Sequence, residues 1–168
     1  MAGFFPIFFE KFYSNPNDVI QSTYQLGLAN SISSIFIALV SPLLGAIADR
    51  GSAKKKLLII FAFLGSLMTA ALWLVQKGDW QLAVFFYIIA TIGFMAGNIF
   101  YDSLLPSVAG REKVDYVSAL GYSLGYLGGG LLFLINVLMY LYPQWFGIPD
   151  SSTAIRISFV TVAIWWAI

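Results

Sequence analysis

Long charge-free runs alternate with short charged breaks along this chain. Residues 19–48, 57–76, 80–101 and 116–142 contain no Asp, Glu, Lys or Arg. A helix rises 1.5 Å per residue, so about 20 residues cross the roughly 30 Å hydrocarbon core of a bilayer. Each run is long enough for one crossing, and the pattern predicts four complete transmembrane helices over 22–48, 57–76, 80–105 and 116–142. The last run carries Tyr116 and Tyr142 at its ends, where amphipathic rings favour the membrane interface. Two shorter apolar stretches flank these spans. Residues 1–9 cover only about half the hydrocarbon core, and 157–168 read as a helix that has only begun. Chain ends inside lipid would carry unpaired backbone groups costing several kcal/mol each. These stretches are therefore expected to be the second half of a first helix (1–13) and the first half of a sixth (155–168), within a longer protein. The alternative expectation is that 1–9 lie in the interface. Those residues lack the basic leader and small-residue cleavage site of a secretory signal. Residues 143–149, with Trp145 and Gly147, read as an interfacial turn. No internal repeat or linker divides the chain, so the fold class is an all-α, polytopic membrane helix bundle forming a single membrane domain over 1–168.

Composition agrees with that class. Apolar residues make up 60% of the chain and charged residues 10%, too few charges to coat a soluble domain, where about 25% is usual. Cysteine and histidine are both absent, which removes disulfides, thiol catalysis, thiolate metal sites and imidazole chemistry. No two carboxylates share helical ligand spacing within an apolar run, so neither an enzyme, a metal site nor a cofactor is expected. The basic residues cluster in membrane loops, which gives nucleic-acid binding no support. Their placement predicts orientation. Arg50, Lys54, Lys55, Lys56, Arg111 and Lys113 fall on one side, against Lys11, Lys77 and Arg156 on the other. Six against three puts the 49–56 and 106–115 loops in the cytoplasm.

Within this frame a few residues invite specific chemistry. Gly45 lies one helical turn before Asp49, where a missing side chain lets a neighbouring helix approach. Asp49 and Arg50 sit where the apolar run ends; there a carboxylate can face a helix N-terminus and a guanidinium can pair with a second acid. Lys54–Lys56 read as the ordinary basic content of a cytoplasmic loop. Asp102 follows twenty-two uncharged residues and is costly near lipid unless paired or hydrated. Gly121, Gly125 and Gly129 repeat at four-residue spacing, a smooth stripe on which another helix can pack closely; Gly93 and Gly97 repeat the device on the preceding helix. Asn30, Ser34, Asn98 and Asn136 are polar groups inside the spans, and either glue helices together or face a wet cavity. Glue is the expected role.

The segment Gly45-Ala-Ile-Ala-Asp49-Arg50 resembles the signature loop between helices 2 and 3 of the major facilitator superfamily of transporters. The glycine following Arg50 directly, and a basic cluster of lysines only, depart from that family's usual Asp-Arg-x-Gly-Arg-Arg/Lys. The opening Phe4-Phe5-Pro6-Ile7-Phe8-Phe9, the run from Ser41 to Arg50 and the stretch from Leu104 to Gly130 are similar to one branch of it, the vacuole effluxer-like permeases. The resemblance implies a half of a major facilitator fold and no enzymatic activity. It implies a secondary transporter moving a small solute by alternating access, completed by a missing C-terminal half. It further implies that Gly45, Asp49, Arg50 and Asp102 form a gating charge network, with Arg50 the partner of Asp102, and that the glycine stripe is a sliding contact. Members in fungi are linked to amino-acid export from the vacuole and many bacterial members have no assigned substrate, so an amino acid is a candidate by resemblance only and the resemblance transfers no substrate. The other class of reading is a small, non-transporting helical membrane protein that associates through its glycine-rich fifth helix.

Overall fold

The computed structural model describes residues 5–15, 17–49, 53–110 and 112–168. A single helical turn, α1 (Phe5–Phe8), continues as a wider π turn over Phe9–Tyr13. Five longer helices follow: α2 (Val19–Asp49), α3 (Lys54–Ala71, closing in a 3-10 turn over Leu72–Leu74), α4 (Trp80–Ala109), α5 (Val114–Leu141) and α6 (Ser151–Ala167). Between α5 and α6 runs a short 3-10 turn, Pro143–Phe146. Helices α2, α4, α5 and α3 with its closing turn are each long and apolar enough to cross a membrane. Leu39, Leu43, Phe63, Leu67, Leu127 and Leu131 point outward along them, as helices packed in lipid present their apolar side chains. The molecule is a helical membrane bundle.

The helix ends differ from the predicted ones for identifiable reasons. Helix α2 starts at Val19 rather than 22 because Asp18 caps it, its Oδ1 accepting from the Gln21 N–H at 2.9 Å. Helix α3 begins at Lys54, so the three lysines are its first turn and not loop residues. Helix α4 does not stop before Pro106 but continues to Ala109, where Gly110 leaves with φ +68°. Helix α6 begins at Ser151 instead of 155. Asp150 caps it, one carboxylate oxygen accepting from the Thr153 N–H at 2.8 Å and the other from the Thr153 hydroxyl at 3.0 Å. Those bonds favour the charged form and hold the Asp150 carboxyl below its ordinary range. Arg156, within the predicted sixth helix, lies in the second turn of α6.

Helix α4 is the spine: its interface with α3 is the most extensive, followed by that with α2. Gly93 explains why α3 comes so close. A Cβ built there would stand 2.8 Å from the Gly65 nitrogen and 2.9 Å from both the Gly65 Cα and the Phe61 carbonyl oxygen. The other side of Gly65 lies against the Trp166 ring of α6, and the Ser66 hydroxyl donates to the Ala163 carbonyl at 2.6 Å. One glycine thus lets α3 fit between two helices. Phe61 and Phe100 stack beside this contact, ring centroids 5.8 Å apart.

The N-terminal segment is not an interfacial strip. Phe5, Phe8, Phe9 and Tyr13 are buried with Leu72, Val75, Ala83, Ile155 and Phe159 in one cluster, and the Phe5 ring stacks on Tyr87 at 4.4 Å. At this end α3 stops and leaves carbonyls without helical partners. The Tyr13 hydroxyl donates to the Leu72 carbonyl at 2.7 Å. The Arg156 guanidinium donates to Trp73 through Nε at 3.1 Å and also through Nη2, with a longer bond of 3.4 Å to Val75. Its plane sits 5.4 Å from the Trp73 ring centroid and 5.9 Å from that of Phe12, within cation–π range. One side chain therefore joins α6, the end of α3 and the N-terminal segment.

The glycine stripe of α5 is a correction. No atom comes within 4 Å of a Cβ built at Gly125 or Gly129, and at Gly121 the one close atom is the Tyr101 hydroxyl oxygen, 2.9 Å away. Among the described residues no helix backbone packs on the stripe; α5 joins the bundle mostly through α6, where a Cβ built at Gly128 would stand 3.1 Å from the Trp165 ring. The four-residue spacing makes a smooth face but does not say what covers it.

Two expected outcomes follow from this packing. Gly93→Ala should destabilise the protein by about 1–3 kcal/mol, the usual cost of forcing atoms into a packed contact. Gly125→Ala, facing open space, should be neutral or stabilise by up to about 1 kcal/mol through helix propensity. Denaturant unfolding in detergent checks both, and equal effects would refute the α3–α4 contact. Arg156→Ala should cost about 1.5–3 kcal/mol, the range for hydrogen bonds to a charged group. Arg156→Lys should restore only part, because one ammonium cannot reproduce the fork and the ring stacking. Unchanged thermal stability of Arg156→Ala would show that the guanidinium bonds are incidental.

Candidate functional site

The end of the bundle that carries Asp49 and Lys54 is where the sequence concentrates its polar motif. Asp49 is the last residue of α2 and is exposed; Gly45, one turn earlier, is half-buried with no atom within 4 Å of a built Cβ. Arg50, the expected partner of Asp102, lies outside the described residues. So do Gly51 and Ser52.

Across from this loop, the last turns of α4 are shaped by Pro106. Proline brings no N–H, so the carbonyl four residues earlier, that of Asp102, receives no helical bond. The helix nevertheless runs on to Ala109, and side chains donate to other carbonyls around the proline. The Ser107 hydroxyl donates to Leu104 at 2.6 Å and the Ser103 hydroxyl to Phe100 at 2.8 Å. The Lys54 ammonium reaches across from α3 and donates to the Ser103 carbonyl at 3.0 Å. A cation at the start of a helix is unfavourable to that helix's own dipole but favourable at the C-terminal end of another. Lys54 therefore belongs electrostatically to α4. Read in the sequence as undifferentiated loop charge, it is the cross-helix link that sequence reasoning missed; the lysine cluster beside a proline-bearing helix end is the signal that could have found it.

Asp102 is exposed at this end, and its carboxylate accepts from the Tyr122 hydroxyl of α5 at 3.1 Å. The Tyr101 and Tyr122 rings meet edge to face, centroids 6.2 Å apart. Lys54, Ser103, Asp102 and Tyr122 thus tie the ends of α3, α4 and α5 by side-chain bonds, the kind of link that can be made in one arrangement and broken in another.

The remaining candidates separate into bonded and unbonded groups. Asn30 of α2 accepts from the Tyr87 hydroxyl of α4 at 2.9 Å. Asn136, buried on α5, accepts from the Thr161 hydroxyl of α6 at 3.0 Å. Both join helices. Ser34 is exposed and Asn98 half-buried, and neither bonds another helix among the described residues. Gly97 is buried, yet no atom lies within 4 Å of a Cβ built on it, so the close approach belongs to Gly93 alone of that pair.

The comparisons with known proteins bear on the same residues. The family model described as "Vacuole effluxer Atg22 like" matches residues 18–168. An uncharacterized MFS-type transporter of Bacillus subtilis, YxiO, is 36% identical over 166 residues, covering 98% of this chain and 39% of its own length. An uncharacterized protein of Aquifex aeolicus is 31% identical over 82% of this chain and 34% of its own. Autophagy-related protein 22 of Pichia angusta is 26% identical over 96% of this chain and 31% of its own. The chain thus spans well under half the length of these curated relatives, and no solved structure matches it. An integral, multi-pass helical bundle, matched nearly end to end by the family model and by a major-facilitator-type relative, places the chain in the vacuole effluxer Atg22-like family of transporters.

Proposed function

We propose that the chain supplies most of the N-terminal six-helix half of a secondary transporter that moves a small solute by alternating access, with a gate at the Asp49–Lys56 end of the bundle. The observation that carries this reading is the set of polar links at that end: Lys54 on the Ser103 carbonyl and Tyr122 on Asp102, opposite the Gly45–Asp49 motif. Transporters of this kind bind substrate near the bilayer midplane between two halves and rock to open alternate sides. In this reading a C-terminal half outside the chain completes the substrate site, and Asp102 exchanges Tyr122 for Arg50 when the gate changes state. Amino acids are the first solutes to screen, on family resemblance. The competing reading, a non-transporting protein associating through α5, has the uncovered Gly125–Gly129 face in its favour; solute movement by the full-length product decides against it.

In this proposal the 49–56 and 106–115 loops face the cytoplasm. Single cysteines at Ser52 and Lys113 should then react only with reagents that reach the cytoplasm, and one at Lys77 only from the opposite side. Lys77 serves better than its neighbour Gly78, whose φ of +91° disfavours a side chain. Reaction of Ser52 and Lys77 cysteines from the same side would overturn the orientation.

The gate is tested in the full-length transporter. Arg50→Ala and Asp102→Asn should each slow transport while leaving insertion intact. A charge-assisted bond of about 1–3 kcal/mol shifts a balanced equilibrium about five- to hundred-fold. The double variant should be little worse than either single one, since both remove the same contact. Losses that add in free energy would show that the two residues act independently.

A further inference from the structure

At the opposite end of the bundle lies a cleft of about 250 Å³ between the N-terminal segment, the start of α2 and the turn before α4. Ser14, Asn15, Gln21, Gln25 and Trp80 line it. Gln25 stands about 9 Å along α2 from Val19, at 1.5 Å per residue, and is 7% exposed. Its Oε1 accepts from the Ser14 hydroxyl at 2.7 Å. Among the described residues nothing accepts from its Nε2. No buried side-chain nitrogen or oxygen among the described residues lacks a partner, so this nitrogen is reached by solvent, and it is a donor that a largely buried, Ser14-held amide offers to whatever enters the cleft.

The lining defines what can enter. No Asp, Glu, Lys or Arg is among the described residues that line it, so an ion would shed hydration without gaining a counter-charge. Amides and a hydroxyl offer both donors and acceptors, matching groups that themselves donate and accept. The Trp80 indole adds an apolar wall, and the volume is below the range of drug-sized pockets, about 300–1,000 Å³. We propose that this cleft is a binding site for a small, uncharged solute bearing hydroxyl or amide groups, held by Gln25 at the mouth opposite the gate. The site does not depend on the transport reading, because occupancy there requires no movement across the membrane.

The test uses the full-length protein with other cysteines removed and Asn15→Cys as reporter, labelled by a membrane-impermeant thiol reagent. Gln21→Cys is a second reporter if the first fails to insert. D-glucose and acetamide are the neutral probes; sodium acetate and methylammonium chloride are charged controls at matched ionic strength. Occupancy slows labelling by the factor 1 + [L]/Kd, about threefold for a probe at about 100 mM whose Kd is about 50 mM. The expected result is slowing by at least one neutral probe and by neither charged one, with the protection lost in Gln25→Leu. Equal labelling with every probe would show a water-filled crevice only. Equal protection by the charged probes, or protection that survives Gln25→Leu, would also overturn the proposal.

Discussion

Hydrocarbon offers no hydrogen bonds, so every backbone carbonyl at a helix end within or near it must find a donor from the protein itself. Much of this structure depends on how that demand is met. Where α3 closes, Tyr13 and Arg156 donate to the carbonyls of Leu72, Trp73 and Val75. At the opposite end, where Pro106 disturbs α4, Lys54 donates to Ser103. These donors come from distant parts of the chain, so satisfying a carbonyl also sets the position of a helix. The N-terminal segment is held by Tyr13, α6 by Arg156, and the start of α3 by Lys54.

Small residues determine which helices can come close enough for those bonds to form. Gly65 is hemmed on one side by Gly93 and on the other by Trp166, so α3 approaches α4 and α6 together. Dispersion contacts between closely packed helices replace the hydrophobic driving force that lipid does not provide. The same chemistry on α5 leads elsewhere. Its stripe carries more glycines than α4, yet Gly125 and Gly129 meet nothing, while Gly128, off the stripe, receives Trp165. A glycine permits a contact and does not create one.

The two ends of the bundle differ in chemistry accordingly. The end that carries Asp49, Lys54 and Asp102 holds full charges, exposed at the surface or bonded to a carbonyl and a tyrosine hydroxyl of neighbouring helices. The far end commits Arg156 to carbonyls and rings. Among the described residues its cleft is lined by Ser14, Asn15, Gln21 and Gln25 beside Trp80, with no charged side chain.

Class and span count were legible in the sequence alone, because a charge-free run of twenty or more residues has one stable environment and one stable backbone form there. Asn30, exposed, and Asn136, buried, each meet a hydroxyl of another helix, and the identity of those partners, Tyr87 and Thr161, was not legible in the sequence. Helix ends were legible only to within a turn. Asp18 and Asp150 act as caps through local geometry that charge counting overlooks, and α4 ran on past Pro106 to Ala109. The tertiary structure alone decided that Gly93 rather than Gly125 marks the tight contact, that Arg156 clamps α6 to the end of α3, and that Asp102 meets Tyr122. The reason is physical: spacing along a helix determines which residues share a face, but what that face meets depends on chain segments tens of residues away, whose approach no local pattern encodes.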